Sequence, residues 1–255
     1  MPLPSVAELR AKGQPPGLLD RRSGEHWAGR LYMRKVSPYG TKFFYWLGAS
    51  PNQVTTLMTL SGAASGFALL WPGLPGALLA LLFVQGYLLL DCSDGELARF
   101  TGKKSITGIY LDRVGAYLCD ASLLVGLGFR ASAGDPGWGY AVLGLAAALG
   151  AILIKAETDL VHVARAQSGL PSVTEDAVQP KSAGLAKARK VATVLKFYRL
   201  ILAIELSFVI VLATVLDMVI GDLAATRLLT VACALVAAVQ VVLHLVSVLV
   251  SRRLS

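Results

Sequence analysis

The chain reads as an all-α integral membrane protein of six transmembrane helices with an N-terminal interfacial amphipathic segment. Three observations predict this fold class: long uncharged apolar blocks, connections that alternate between charge-poor and rich in lysine and arginine, and a polar, aromatic leader ahead of the first block. The mean hydropathy is +0.61, and the excess is concentrated rather than spread. Residues 228–250 hold no formal charge, with Gln240 and His244 their most polar members. A bilayer core is crossed by about 20 mainly apolar residues in helical form. A soluble helical protein can bury one such segment, but several in succession leave too little polar surface to cover them.

Two regions follow, a cytoplasmic or interfacial leader over 1–50 and a membrane domain over 51–255. The middle of the leader runs from His26 and Trp27 through Leu31, Tyr32 and Met33 to Phe43, Phe44, Tyr45 and Trp46, interleaved with arginine and lysine. Aromatic and basic side chains together suit the headgroup zone of a bilayer. Six spans are then predicted at 52–71, 74–99, 106–129, 138–163, 191–220 and 224–250. The connections at Pro72 and Gly73, at 131–137 and at 221–223 are short and carry little positive charge, so they read as outside turns. Lys103, Lys104, Lys181, Lys187, Arg189, Lys190, Arg252 and Arg253 all fall on the opposite side. The positive-inside rule then puts both termini in the cytoplasm. The first 40 residues carry no apolar stretch of the kind a cleavable signal peptide needs, which agrees. The loop over 167–188 is the one long connection, and no internal repeat is visible.

A net charge of +8 raises the question of nucleic acid, but the basic residues sit between apolar blocks and not in a separate basic module. Membrane orientation accounts for them, and no nucleic-acid partner is expected. Cys92, Cys119 and Cys233 lie inside predicted helices without CxxC spacing, so they read as packing residues and not as a disulfide framework or zinc site.

The chemistry concentrates in residues 91–112, DCSDGELARFTGKKSITGIYLD. Carboxylates inside lipid-length helices are rare unless they pair with cations or line a wet cavity. Asp91, Asp94 or Gly95, and Ala98 fall on one helical stripe, and Gly108, Asp112 and Ala116 on another at four-residue spacing. Both stripes lie toward the cytoplasmic ends of adjacent antiparallel spans, which gives an acidic pocket. Hard divalent cations take oxygen ligands and keep coordination free for water and substrate phosphates. Gly95, Ala98 and Gly108 are small enough for a ligand to approach the backbone, and Arg99 offers a planar fork of donors to a phosphate.

At this point the residues resemble a family. DxxDGxxAR over Asp91 to Arg99, eight free positions, then GxxxD over Gly108 to Asp112 is similar to the signature of the CDP-alcohol phosphotransferases, the CDP-alcohol phosphatidyltransferase superfamily. The run Ser50, Pro51, Asn52, Gln53, Val54, Thr55 looks like the family's PNxxT opening, and the resemblance covers about residues 50–250. It implies transfer of a phosphatidyl or phosphoalcohol group from a CDP-linked donor, CDP-diacylglycerol or another CDP-alcohol, to an acceptor hydroxyl with release of CMP. It also implies a homodimer among membrane lipids, a role in phospholipid or related polar-lipid biosynthesis, and a bacterial plasma membrane with a cytoplasmic active site. Carried over by position, Asp91, Asp94 and Asp112 would bind Mg2+ or Mn2+, two ions in all. Gly95, Ala98, Arg99 and Gly108, with Asn52 and Thr55, would serve the nucleotide and its phosphates.

The signature ends on a further aspartate, metal ligand and general base, where this chain has Ala116. A positioned base is worth about 10² to 10⁴ in rate. Three accounts fit: a natural variant that uses another group, a catalytically silent nucleotide- or lipid-binding relative, or a chain in which the position was replaced. Asp120 lies one turn further along the same face, about 6 Å away. It is either a substitute base or a structural partner for Arg113 or for a neighbouring helix.

Other polar residues carry weaker expectations. Lys155, Asp159 and His162, with Arg165 at the edge, share a face near the end of the fourth span, and Lys196 and Arg199 open the fifth. These are candidates for an anionic acceptor, against snorkelling helix ends or lipid headgroup contacts. Glu205 lies deeper and needs a partner, His26 and His244 read as packing or interface residues, and Glu96 points away from the acidic stripe as a loop or dimer contact. A small transporter ranks last, since the paired discontinuous helices of such proteins are missing from the pattern.

Overall fold

The computed structural model describes residues 3–16, 27–171 and 201–254, and every regular element among them is helical. The leader forms α1 (Val6–Gly13), a π-helical turn (Gly29–Met33) and α2 (Arg34–Trp46). Ser5 and Glu8 close a capping box on α1. The two bonds from Ser5, its backbone N–H and its hydroxyl, hold the Glu8 carboxyl below its ordinary pKa. The membrane domain follows as α3 (Pro51–Ala68), α4 (Gly73–Thr101), α5 (Ile106–Ala131), α6 (Gly139–Gln167), α7 (Ala203–Ile220) and α8 (Ala224–Val250).

Five of these helices, α4 to α8, are long and apolar enough to cross a membrane, which fits an integral membrane protein. The sixth expected span, α3, is 18 residues long but does not belong to that set. Asn52, Gln53, Thr55, Thr56, Thr59, Ser61 and Ser65 lower its apolarity. One boundary is corrected. The helix expected over 191–220 does not run unbroken, because Leu202 is extended and α7 starts at Ala203. The Ala203 N–H donates to Asp120 Oδ1 at 2.9 Å, so a side chain from α5 caps this new start. Residues 191–200 lie outside the described residues, as does most of the 167–188 loop.

α3 packs most extensively against α4 and α5, α5 against α6, α6 against α8, and α4 against α7 and α2. Small residues set the closest approaches, as expected where lipid gives helices no hydrophobic reason to associate and backbones must come near each other. A Cβ built on Gly66 would lie 2.0 Å from the Ser122 carbonyl oxygen, and Gly128 of α5 meets Gly144 of α6 backbone to backbone. Around these contacts lies a core of Val54, Met58, Val84, Leu97, Leu123, Leu124, Leu127, Leu206 and Ile210. All three cysteines are buried within it and none is in a disulfide, in keeping with their reading as packing residues.

The end remote from the acidic stripe is closed by internal partners. Arg130 is buried and donates to the carbonyls of Trp71 and Gly73 at the α3–α4 turn and to Thr214 Oγ1 of α7. Asp217 accepts from the N–H groups of Ala225 and Thr226 and from the Thr226 hydroxyl, which caps α8. Internal partners for backbone groups are what a lipid-exposed fold requires.

Candidate functional site

The site assembles from three helix ends. Ser50 caps α3 in a second capping box with Gln53, and Pro51 takes the first helical position, where its fixed φ and missing N–H cost nothing. That start presents Asn52 and Thr55 inward. α4 ends at Gly102 in the left-handed conformation, φ +70°, and the chain turns through Lys103 and Lys104 to Ser105, the cap of α5. Ser105 Oγ accepts from the Gly108 N–H at 2.9 Å and donates to Asn52 Oδ1 at 2.9 Å. One hydroxyl thus joins the first turns of α3 and α5. A Cβ on Gly108 would stand 2.8 Å from Asn52 Oδ1, which gives this glycine a local reason beyond room for a ligand.

α4 is tied in by Thr55, whose hydroxyl donates to Asp94 Oδ2 at 2.6 Å. The three helices and the α4–α5 turn border an open cavity of about 160 Å³ lined by Pro51, Asn52, Thr55, Asp94, Gly95, Ala98, Lys103, Lys104, Ser105, Gly108, Ile109 and Asp112. Of the residues singled out from the sequence, Asn52, Thr55, Asp94, Gly95, Ala98, Gly108 and Asp112 meet here. In the sequence Lys103 and Lys104 count only toward orientation and the loop, and nothing there singles out Ser105. Asp91 does not line the cavity. Among the described residues no group of three or more His, Cys, Asp and Glu side chains is arranged to hold a metal ion. The acids are neighbours instead: Asp94 and Asp112 both line the cavity, and Asp91 interacts with Asp112. Hard oxygen donors of this kind are what a magnesium-type cation takes as ligands, while Lys103 and Lys104 put positive charge on the same lining, which suits an anion.

Arg99 lies beside the cavity and not in its lining. Its Nε donates to the Gly13 carbonyl of α1 at 2.5 Å, and its terminal nitrogens rest against Gly95, where a Cβ would meet them at 3.1 and 3.3 Å. The expectation for Glu96 is overturned. It is neither a loop nor a dimer contact but is 1% exposed, and it accepts from Ser37 Oγ (2.5 Å), Thr41 Oγ1 (2.7 Å) and Gln14 Nε2 (2.8 Å). Arg34 stands 3.6 Å away as its ion-pair partner. A buried carboxylate is tolerable only with such a set. Arg34, Ser37 and Thr41 form a polar stripe at helical spacing within an otherwise aromatic segment, which signals a buried polar face of the leader but not that Glu96 is its partner.

The region past Asp112 is occupied by ion pairs. Asp120 is buried, bonded to the Ala203 N–H and paired with Lys155 Nζ at 2.7 Å. This matches the reading of Asp120 as a partner to a neighbouring helix. The Arg113 alternative does not occur, since Arg113 pairs with Asp159. Lys155 Nζ also donates to the Ala116 carbonyl at 2.6 Å, and Tyr117 donates to Asp159 Oδ2 at 3.0 Å. Lys155 and Asp159 therefore both fasten α6 to α5. His244 meets Thr158 across the α6–α8 contact, in line with an interface residue. Lys196, Arg199 and His26 lie outside the described residues. No protein-family model matches the chain, and no curated protein matches it.

Proposed function

We propose that this chain is a membrane-embedded transferase of the CDP-alcohol phosphotransferase type, passing a phosphatidyl or phosphoalcohol group from a CDP-linked donor to an acceptor hydroxyl and releasing CMP. The observation that carries the reading is the convergence of Asn52, Thr55, Asp94, Gly95, Ala98, Gly108 and Asp112, drawn from three helices, on one cavity. In the reaction the acceptor oxygen bonds the phosphorus that carries the alcohol. The bond from that phosphorus to the bridging oxygen breaks, CMP leaves with the electron pair, and the acceptor proton passes to a base or to water. Lys103 and Lys104 offer positive charge to the diphosphate, and Gly95 and Gly108 give it access to the helix backbones. Asp91, Asp94 and Asp112 would hold magnesium or manganese, which neutralises diphosphate charge when bound.

The same reading has α3 as a sixth span, both termini and the cavity facing the cytoplasm of a bacterium, and a homodimeric assembly. Support for α3 comes from where its polar groups go. Thr55 reaches Asp94, Ser61 donates to the Phe83 carbonyl at 2.7 Å, and Ser65 is fully buried, while Leu57, Leu60 and Phe67 are exposed. Support for an interfacial leader comes from α2, which buries Ser37 and Thr41 on α4 and exposes Tyr39, Phe43 and Trp46. That aromatic face suits a headgroup zone.

A second reading, a silent relative that binds CDP compounds without turnover, is favoured by one observation. Ala116 supplies no base, and Asp120 is already bonded to Lys155 and Ala203. Purified chain with Mg2+, CDP-diacylglycerol or a soluble CDP-alcohol, and a panel of hydroxyl acceptors separates the two. CMP release supports the transferase; metal-dependent CDP binding with no release supports the silent relative.

A further inference from the structure

We propose that the leader is a positioning element of the cavity: α1 and α2 grip the back of α4 through Glu96 and fix Arg99 against the cavity wall for a diphosphate. The inference rests on the CDP reading above and adds a part of the chain that reading leaves outside the site.

Glu96 falls between Asp94 and Arg99 in sequence, roughly half a helical turn from Asp94, so the leader holds the face of α4 turned away from the cavity. The partners of its buried carboxylate come from the leader: Ser37, Thr41, Gln14 and Arg34. The grip is built into the leader's own sequence. Pro38 lies inside α2 and cannot donate to the Arg34 carbonyl four residues back. Gln14 Nε2 donates to that carbonyl at 2.7 Å while also reaching Glu96. One glutamine therefore repairs the helix, docks α1 and contacts the motif.

Gly13 completes the device. It packs so closely on Glu96 that a Cβ would lie 3.1 Å from the Glu96 Cβ, and its carbonyl takes the Arg99 Nε proton. With Nε anchored, the guanidinium lies with both terminal nitrogens beside Gly95, a wall residue of the cavity. A long side chain held in advance loses less conformational freedom when it meets an anion. Loosening α1 should therefore weaken diphosphate binding, and only while Arg99 is present.

The test is a double-mutant cycle on the full chain in detergent or nanodiscs, with CDP and Mg2+ as the probe and calorimetry as the readout. Gly13→Val, which forces α1 off Glu96, and Arg99→Ala should each raise the CDP dissociation constant, Arg99→Ala by about tenfold, and the double variant should bind no worse than Arg99→Ala alone. Additive losses overturn the proposal, as does a Gly13→Val protein that melts earlier yet binds CDP as the parent does. Where Gly13→Val does not fold, Gln14→Ala takes its place in the cycle. A parent chain that binds no CDP sinks the CDP reading instead. The hold on Arg99 is then judged without ligand, by phenylglyoxal modification followed by mass spectrometry. Modification faster by about tenfold in Gly13→Val is expected if 1.4 kcal/mol of protection is lost, and equal rates in parent and variant refute the hold.

Discussion

Replacing Glu96 by alanine should destabilise the protein by roughly 3–5 kcal/mol, the usual cost of breaking a buried ion pair by removing one partner. The magnitude follows from the partners. Three neutral donors point at this carboxylate within 2.5 to 2.8 Å, and each bond to a charged acceptor is worth about 1.5–3 kcal/mol. The full sum is not reached because two donors have alternatives: Thr41 Oγ1 lies 3.0 Å from the Ser37 carbonyl and Gln14 already reaches the Arg34 carbonyl. Arg34 is only 16% exposed, so little water reaches its guanidinium in place of the carboxylate. Glu96→Gln keeps one acceptor oxygen and the packing, so it should cost roughly 1–2 kcal/mol on the same scale. Thermal or denaturant unfolding in detergent measures both, and limited proteolysis reports whether α1 and α2 detach first. A loss below about 1 kcal/mol for Glu96→Ala, typical of an exposed residue, would refute the buried hub.

Three further outcomes follow from particular contacts. Gly108→Val pushes Asn52 off Ser105 and should weaken CDP binding by about tenfold or more, or 1.4 kcal/mol, with unfolding little changed; unaltered affinity would remove Gly108 from the site. Asp120→Asn keeps an oxygen for the Ala203 N–H but deprives Lys155 of its carboxylate. Because Lys155 is 28% exposed, the expected cost is a modest ~1–2 kcal/mol, and Lys155→Met in the same chain should recover most of it. Gly66→Leu drives a side chain into the Ser122 carbonyl and should exceed the ~1–3 kcal/mol typical of overpacking. Size-exclusion chromatography would show loss of the monodisperse folded species, whereas normal yield would contradict the α3–α5 contact.

The helices were legible because lipid-length apolar blocks with Gly or Pro at their joints leave few alternatives. The predicted 224–250 segment coincides with α8, and the ends of α4 and α5 differ from expectation by two residues or fewer. α3 is harder to read, because a helix that gives its polar side chains to a cavity and to α4 loses the hydropathy by which spans are recognised. The grouping of Asp94 or Gly95 with Ala98, and of Gly108 with Asp112, was legible from spacing, since i, i+4 repeats share one helix face; that α3 would pack on both α4 and α5 while those two scarcely touch was not. The fate of Glu96 and Arg99 was not. Their partners, Gln14, Gly13 and Ser37, lie more than 50 residues away, and periodicity within α4 says nothing about what packs on its other face. The break before α7 was hidden for the same reason, because the residue that caps Ala203 is Asp120 on α5.

CMP release tests the central claim most directly, measured for the chain as it stands and for Ala116→Asp with Mg2+, CDP-diacylglycerol or a soluble CDP-alcohol, and a panel of hydroxyl acceptors. Metal-dependent release by the restored chain, faster than the parent by about 10² to 10⁴ as a positioned base supplies, is the predicted result. Absence of CMP release from both chains, together with absence of metal-dependent CDP binding by either, would contradict the assignment of this cavity to CDP-alcohol chemistry.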